Sequence, residues 1–139
     1  MVVEMAYISW DNNFLTHIHV IDEQHKKLLK LINDLHEKLR AAQGIKVIRP
    51  IITSLFEYVT VHFATEEKYM IKYDYPEFEA HSREHNEFHV KVQEFDKKHK
   101  IGSILLAREV LLFLGTWYRN HILTIDKKMG QYLQNKGVI

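Results

Sequence analysis

Apolar positions recur at three- and four-residue intervals along most of the 139-residue chain, in four separate stretches. In "DEQHKKLLKLINDLHEKLRAAQG", His25, Leu28, Leu29, Ile32, His36 and Leu39 fall on one helical face, with Asp22 as N-cap and Gly44 as stop. A second stripe follows Pro50, which suits a first helical position. It takes in Ile52, Leu55, Phe56, Val59, His62, Phe63, Glu66 and Met70 before "YDYPE" interrupts it. Beyond Pro76, the third stripe comprises Phe78, His81, His85, Phe88, Val92 and Phe95, closed by the polar turn "DKKHKIGS" around Gly102. The fourth runs from Ser103 through Leu106, Val110, Phe113, Trp117 and His121 toward Asp126. Four stripes of about twenty residues with short connections predict an all-α, up-down-up-down four-helix bundle about 30 Å long over residues 22–135. Residues 1–21 lack this period and are expected as an irregular N-terminal arm, residues 1–139 forming a single domain.

A chain of this length buries roughly 68–70% of the surface its unfolded form exposes, enough for one core. A hydrophobic fraction of 46% against 27% charged residues, with five Gly and two Pro, argues against disorder. Nineteen basic residues against eighteen acidic leave no charge asymmetry for nucleic acid or a lipid surface. Glu4 and Asp11 break the start that a secretory signal would need. Arg108 and Glu109 interrupt the most apolar segment, 103–117, which is too short to span a bilayer. The chain contains no cysteine, which fits a reducing cytoplasm and leaves only His and carboxylate to hold a metal. A cytoplasmic protein with no nucleic-acid partner and no membrane insertion is expected.

Position makes the ten histidines informative. His25, His62, His81, His85 and His121 fall within the apolar stripes, at least one per helix. Five imidazoles without partners in a dry core would carry a desolvation cost that packing hardly offsets, and metal ions supply partners. His62 and Glu66, four apart, project from one face, as do His81 and His85. His121 and Asp126 are five apart, about 140° around an ideal helix. Either the fourth helix is distorted there, or Asp126 reaches across from the helix end. Five imidazoles and two carboxylates are too many for one tetrahedral zinc. They suit two six-coordinate ions sharing both carboxylates, for which iron is a good fit. Read alone, "HSREH" resembles an inverted zinc-hydrolase motif with Glu84 as base, but that leaves the other ligand candidates no reason to converge.

The segments "ISW", "IDEQHKKL", "HFATEEKYM", "HSREHNEF" and "TWYRNHILTID" occur in order and cover nearly the whole chain. Together they resemble the hemerythrin family, in its bacterial single-domain form. The resemblance implies a non-haem di-iron centre with a bridging oxo or hydroxo group that binds O₂ reversibly. It implies that His81, His85 and His121 hold one iron, that His25 and His62 hold the other, and that Glu66 and Asp126 bridge both. The two-His iron keeps a position open for O₂, and binding is a two-electron redox step whose product stays in place. By position, Leu28, Phe63, Trp117, Tyr118 and Ile122 match the family's apolar O₂ pocket. O₂ is then the ligand, and an O₂-consuming enzyme is a possible recipient.

Two departures stand out. Relatives commonly carry glycine where this arm has His17, and Tyr118 replaces a usual aliphatic residue, so its phenol either meets the bound ligand or points away. Among the remaining histidines, His36 is expected in bundle-end packing, His89 as a candidate neighbour of the ligands and His99 in solvent. Glu67 and Glu84 are expected on a solvated face. The alternatives are a di-iron oxidase or peroxidase, or an O₂/NO-sensing module using the same open iron. Ferritin-like oxidases use Glu-x-x-His pairs, and no His here has Glu three residues before it. A binding protein, not an enzyme, is therefore the leading expectation.

Overall fold

The computed structural model describes residues 7–42, 44–101 and 105–139, and of residues 44 and 45 the backbone alone. Helix α1 is His19–Arg40. Helix α2, residues 44–72, joins Gly44–Tyr58, a π-helical run Val59–Phe63 and Ala64–Lys72. Helix α3 is Phe78–Lys100. Helix α4, residues 106–135, joins Leu106–Trp117, a π-helical run Tyr118–Asp126 and Lys127–Asn135. Helices α1 and α3 each pack on both α2 and α4, giving the expected four-helix bundle.

The buried stripes explain this assembly. Ile21, His25, Leu28, Leu29, Ile32 and Leu35 form the inward face of α1, while its charged residues other than Asp22 face solvent. Two apolar clusters result. The larger contains Leu28, Ile32, Leu55, Phe88, Phe95, Val110 and Leu114; the smaller contains Ile18, Ile21, Met70, Tyr75, Met129 and Leu133. Along every helix the buried His and carboxylate residues lie between these clusters, so a polar layer crosses an otherwise apolar interior.

Several boundaries differ from the sequence reading. Helix α1 begins at His19, three residues before Asp22, because Asp22 is turned to another task. Its buried carboxylate accepts from the Thr16 amide and hydroxyl, both at 2.7 Å, and from the His17 amide at 3.0 Å. It therefore fastens the arm rather than capping the helix. Gly44 opens α2 instead of closing α1, which leaves Pro50 inside a helix. Helix α3 continues through the segment expected as a turn. Lys97, Lys98, His99 and Lys100 complement the negative end of its dipole, and Lys98 pairs with Glu109 at 2.6 Å. Gly102 and Ser103 lie outside the described residues.

The described part of the arm is irregular as far as Ile18, apart from the short turn Asn12–Phe14. The Asn33 amide clamps it, accepting from the Ile8 amide at 3.0 Å and donating to the Ile8 carbonyl at 2.9 Å. Among the described residues, no helix is long and apolar enough to cross a membrane.

Candidate metal centre

Helices α2, α3 and α4 each bring two chemically active side chains to the polar layer, and α1 brings one. On α2 and α3 ordinary helical spacing is sufficient. On α4, the π-helical run spans both His121 and Asp126. Its wider turn closes hydrogen bonds from residue i to i+5, so side chains five apart come closer to one face than in an α-helix. His121 Nε2 consequently lies 2.9 Å from Asp126 Oδ1. Of the two possibilities left open by the sequence, the distorted helix is the one found.

The donor atoms form two groups. In the first, Glu66, His81, His85, His121 and Asp126 each present an atom within 4.8 Å of the others; in the second, His25, His62, Glu66 and Asp126 do so. The carboxylates belong to both groups through different oxygens. Glu66 Oε1 lies 2.9 Å from His85 Nε2 and 3.4 Å from His81 Nε2, while Oε2 lies 3.3 Å from His62 Nε2 and 3.6 Å from His25 Nε2. Asp126 Oδ1 lies 2.9 Å from both His81 and His121 Nε2, and Oδ2 lies 2.9 Å from His25 Nε2. All seven residues are buried.

Despite these short separations, the five Nε2 atoms and all four carboxylate oxygens lack a hydrogen-bond partner. They crowd around two shared spaces without pairing with one another. Nine orphaned polar atoms in one buried cluster would be strongly destabilising as a metal-free core. Cations at the two shared points would satisfy them together, so the donor set fits a pair of metal ions.

The electrostatics agree. Burial pushes the His25 imidazole down, but Asp126 and Glu66 outweigh it and raise it to about 9. The same opposition raises His81 to about 10; for His121, Asp126 is the main influence against burial and the result is about 9. Burial prevails at His62, which is lowered. Burial also works against the ionised Glu66 and Asp126, yet the surrounding imidazoles hold both well below the usual carboxylate range. The cluster thus demands positive charge, supplied by protons when metal is absent.

The outer ring nitrogens of His62, His85 and His121 have their own partners, whereas those of His25 and His81 have none. Gln24 Oε1 accepts from His62 Nδ1 at 2.5 Å. Glu67 Oε2 lies 3.4 Å from His85 Nδ1 and is itself held by the Ser82 hydroxyl at 2.7 Å; Glu84 Oε1 lies 3.4 Å from His121 Nδ1. Such contacts fix ring orientation and tautomer. Glu67 and Glu84 are therefore half-buried supports, contrary to the solvated face expected for them, because each follows or precedes a donor residue on its own helix and so lies beside a donor residue of a neighbouring helix. Glu84 belongs to neither donor group, which removes the zinc-hydrolase reading of "HSREH".

The residues matched to the O₂ pocket surround this layer. Leu28, Phe63, Tyr118 and Ile122 are buried and Trp117 is half-buried. Phe63 stacks on His85 at 3.9 Å between centroids, and Trp117 on His121 at 4.2 Å. Tyr118 donates its hydroxyl to the His25 carbonyl at 3.1 Å, which commits it to the backbone of α1. His36 stacks on Tyr7, and His89 meets the edge of Phe56 rather than any ligand candidate. His17 and His19 are exposed.

Sequence reasoning missed Gln24 and Tyr58. Tyr58 stacks on His62 at 4.6 Å. Its spacing of four residues before His62 was a usable signal; Gln24, off the apolar stripe, carried none.

Comparison with known proteins points the same way. The family described as Hemerythrin HHE cation binding domain matches residues 16–133. A bacteriohemerythrin of Methylococcus capsulatus is 30% identical over 130 residues, covering 93% of this chain and 98% of the relative. One from Pseudomonas aeruginosa is 35% identical over 124 residues, covering 88% and 78%. A hemerythrin crystal structure, solved as a leucine-to-alanine variant, superposes with a TM-score of 0.78 at 29% identity, covering 93% of this chain and 98% of that one. With the cation-binding domain spanning most of its length and a donor set suited to paired metals at its centre, the chain belongs to the hemerythrin family.

Proposed function

We propose that this chain binds O₂ reversibly at two non-haem iron ions joined by an oxo or hydroxo group. His81, His85 and His121 hold one ion, His25 and His62 the other, and Glu66 and Asp126 bridge the pair. The observation that carries this reading is the division of each carboxylate, one oxygen toward the three-His group and one toward the two-His group. When bound, the ferrous pair supplies the electrons that O₂ takes up and returns.

The protein's part is to keep that exchange reversible. Five imidazoles and only two carboxylates make a nitrogen-rich set, in contrast to carboxylate-rich shells that favour high-valent oxidation. Leu28, Phe63 and Ile122 exclude water from the layer, which denies protons to a reduced ligand. Tyr118, bonded to the His25 carbonyl, adds apolar ring surface while its hydroxyl is occupied. Gln24, Glu67 and Glu84 hold His62, His85 and His121 in place from outside. The biological role then lies in storage, delivery or scavenging of O₂, with an O₂-consuming enzyme as a possible recipient.

The test is anaerobic loading with ferrous iron, stopped-flow mixing with O₂, and subsequent removal of O₂. Recovery of the starting spectrum, with two irons per chain, is the expected result. Irreversible passage to the ferric state would instead establish an oxidase.

A further inference from the structure

The groove between α1 and α2 contains a cavity of about 340 Å³ whose wall includes a member of the polar layer. Gln24, Leu28, Leu31, Tyr58, Val61 and His62 line it, and Lys27 and Glu57 stand at its rim. The remaining described cavities follow the outer part of the same groove, the arm, and the α2–α3 face, and none has a donor residue in its wall. The cavity meets the half of the site that has only two imidazoles, through His62. Tyr58 forms the partition: its ring stacks on His62 at 4.6 Å on one side and faces the cavity on the other. Gln24 closes the partition by its hydrogen bond to His62 Nδ1, and His62 is almost wholly screened from solvent.

We propose that this α1–α2 cavity is a binding site for small neutral apolar molecules, of the size of a diatomic gas, and the route by which such a ligand reaches the two-His half, with Tyr58 and Gln24 as its inner gate. This rests on the O₂-binding reading of the centre. The chemistry of the lining selects the ligand class. Leu28, Leu31, Val61 and the Tyr58 ring offer apolar contacts, while the opposed charges of Lys27 and Glu57 cancel at the rim and give an anion no advantage. A hydrated ion entering this groove would lose water without gaining a partner.

An access route changes the rates of binding and release together and leaves the equilibrium constant alone, since it contributes only to the barrier. Val61 is 58% exposed beside the groove, so a larger side chain there can cover the mouth without a cavity or clash in the core. The variants V61W and L31W test the proposal from two positions on the lining. Two readouts are used. Xenon-pressurised crystals of the metal-free and the iron-loaded protein report the cavity itself: xenon between Leu28, Leu31 and Tyr58 is expected in the parent and absent in V61W. Flash photolysis or stopped-flow of the iron-loaded protein reports the route: O₂ association and dissociation are expected to slow in parallel by about tenfold, a barrier change of about 1.4 kcal/mol, with an unchanged dissociation constant. Melting temperatures within a few degrees of the parent establish that the variants are folded.

Xenon elsewhere in the protein, or association rates in both variants within twofold of the parent, would overturn the proposal. A parent protein that shows xenon in the cavity but takes up no O₂ reversibly would retain the site and refute the O₂-binding reading, and with it the route. The two failures are therefore separable.

Discussion

His121 and Asp126 are five residues apart on α4, and yet the Nε2 of one lies 2.9 Å from the Oδ1 of the other. An α-helix would point them about 140° apart. The π-helical run Tyr118–Asp126 narrows that offset, and Asp126 gains access to both donor groups. π-Turns recur at functional sites because they are less stable than α-helix and persist where a ligand or a packed core compensates. In α2 the run Val59–Phe63 likewise lies against the site and carries His62.

Metal removal therefore has a structural consequence. Chelated protein should melt lower than iron-loaded protein by about 8 °C or more, taking about 2.7 kcal/mol for a ligand at a hundred times its dissociation constant. Calorimetry of the two forms measures this. Equal melting temperatures would remove metal as a stabilising partner of the buried imidazoles.

The metal-free form should also respond to pH in a defined direction. His25, His81 and His121 have folded values of about 9, 10 and 9, above the unfolded value of about 6.5. The stability they contribute is fully present below pH 6.5 and is lost as pH rises toward 9 to 10. Glu66 and Asp126 are depressed, so their contribution is present above about pH 4 and is lost in acid. His62, lowered by burial, subtracts stability only in acid. Urea midpoints of chelated protein should peak between about pH 5 and 6.5 and decline toward pH 9. Iron replaces these protons, so the loaded protein should hold its midpoint over that alkaline range; a parallel decline in both forms would contradict this.

Removing an outer support should weaken metal retention without emptying the site. For Q24L and E84Q, a loss of about 10- to 100-fold in metal affinity is expected, as for other groups that orient ligating histidines. Competition with a chromophoric chelator gives the value. Affinities indistinguishable from the parent would make the contacts of Gln24 and Glu84 incidental.

The Tyr118 hydroxyl should matter to stability more than to ligand chemistry. Y118F removes the bond to the His25 carbonyl and should cost about 1 kcal/mol, with autoxidation within about twofold of the parent. A large change in autoxidation with little change in melting temperature would return the phenol to the ligand pocket.

His17 adopts φ 65°, in the left-handed region that favours glycine. Its side chain is exposed, and its amide is held by Asp22. H17G should leave the metal site unchanged and raise stability by about 0.5–1 kcal/mol, the left-handed strain of about 1–2 kcal/mol being partly offset by glycine's greater chain entropy. A thermal melt decides the sign.

Much of this architecture was legible in the chain itself. The 3.6-residue period of Leu, Ile, Phe and His specifies four inward faces, and the positions of His25, His62, Glu66, His81, His85 and His121 on those faces identify the layer where they meet. Those are properties of one helix at a time, which is why single-chain spacing suffices. Element ends were less legible: Asp22, Gly44 and the run Asp96–Lys100 each took a role set by a partner elsewhere, in the arm, at the start of α2, and at Glu109. The division of Glu66 and Asp126 between two donor groups, the π-turn that brings Asp126 into place, and the supports Gln24, Glu67 and Glu84 depend on how separate helices are rotated against one another. That rotation follows from packing across the whole interior, so only the tertiary structure decided it.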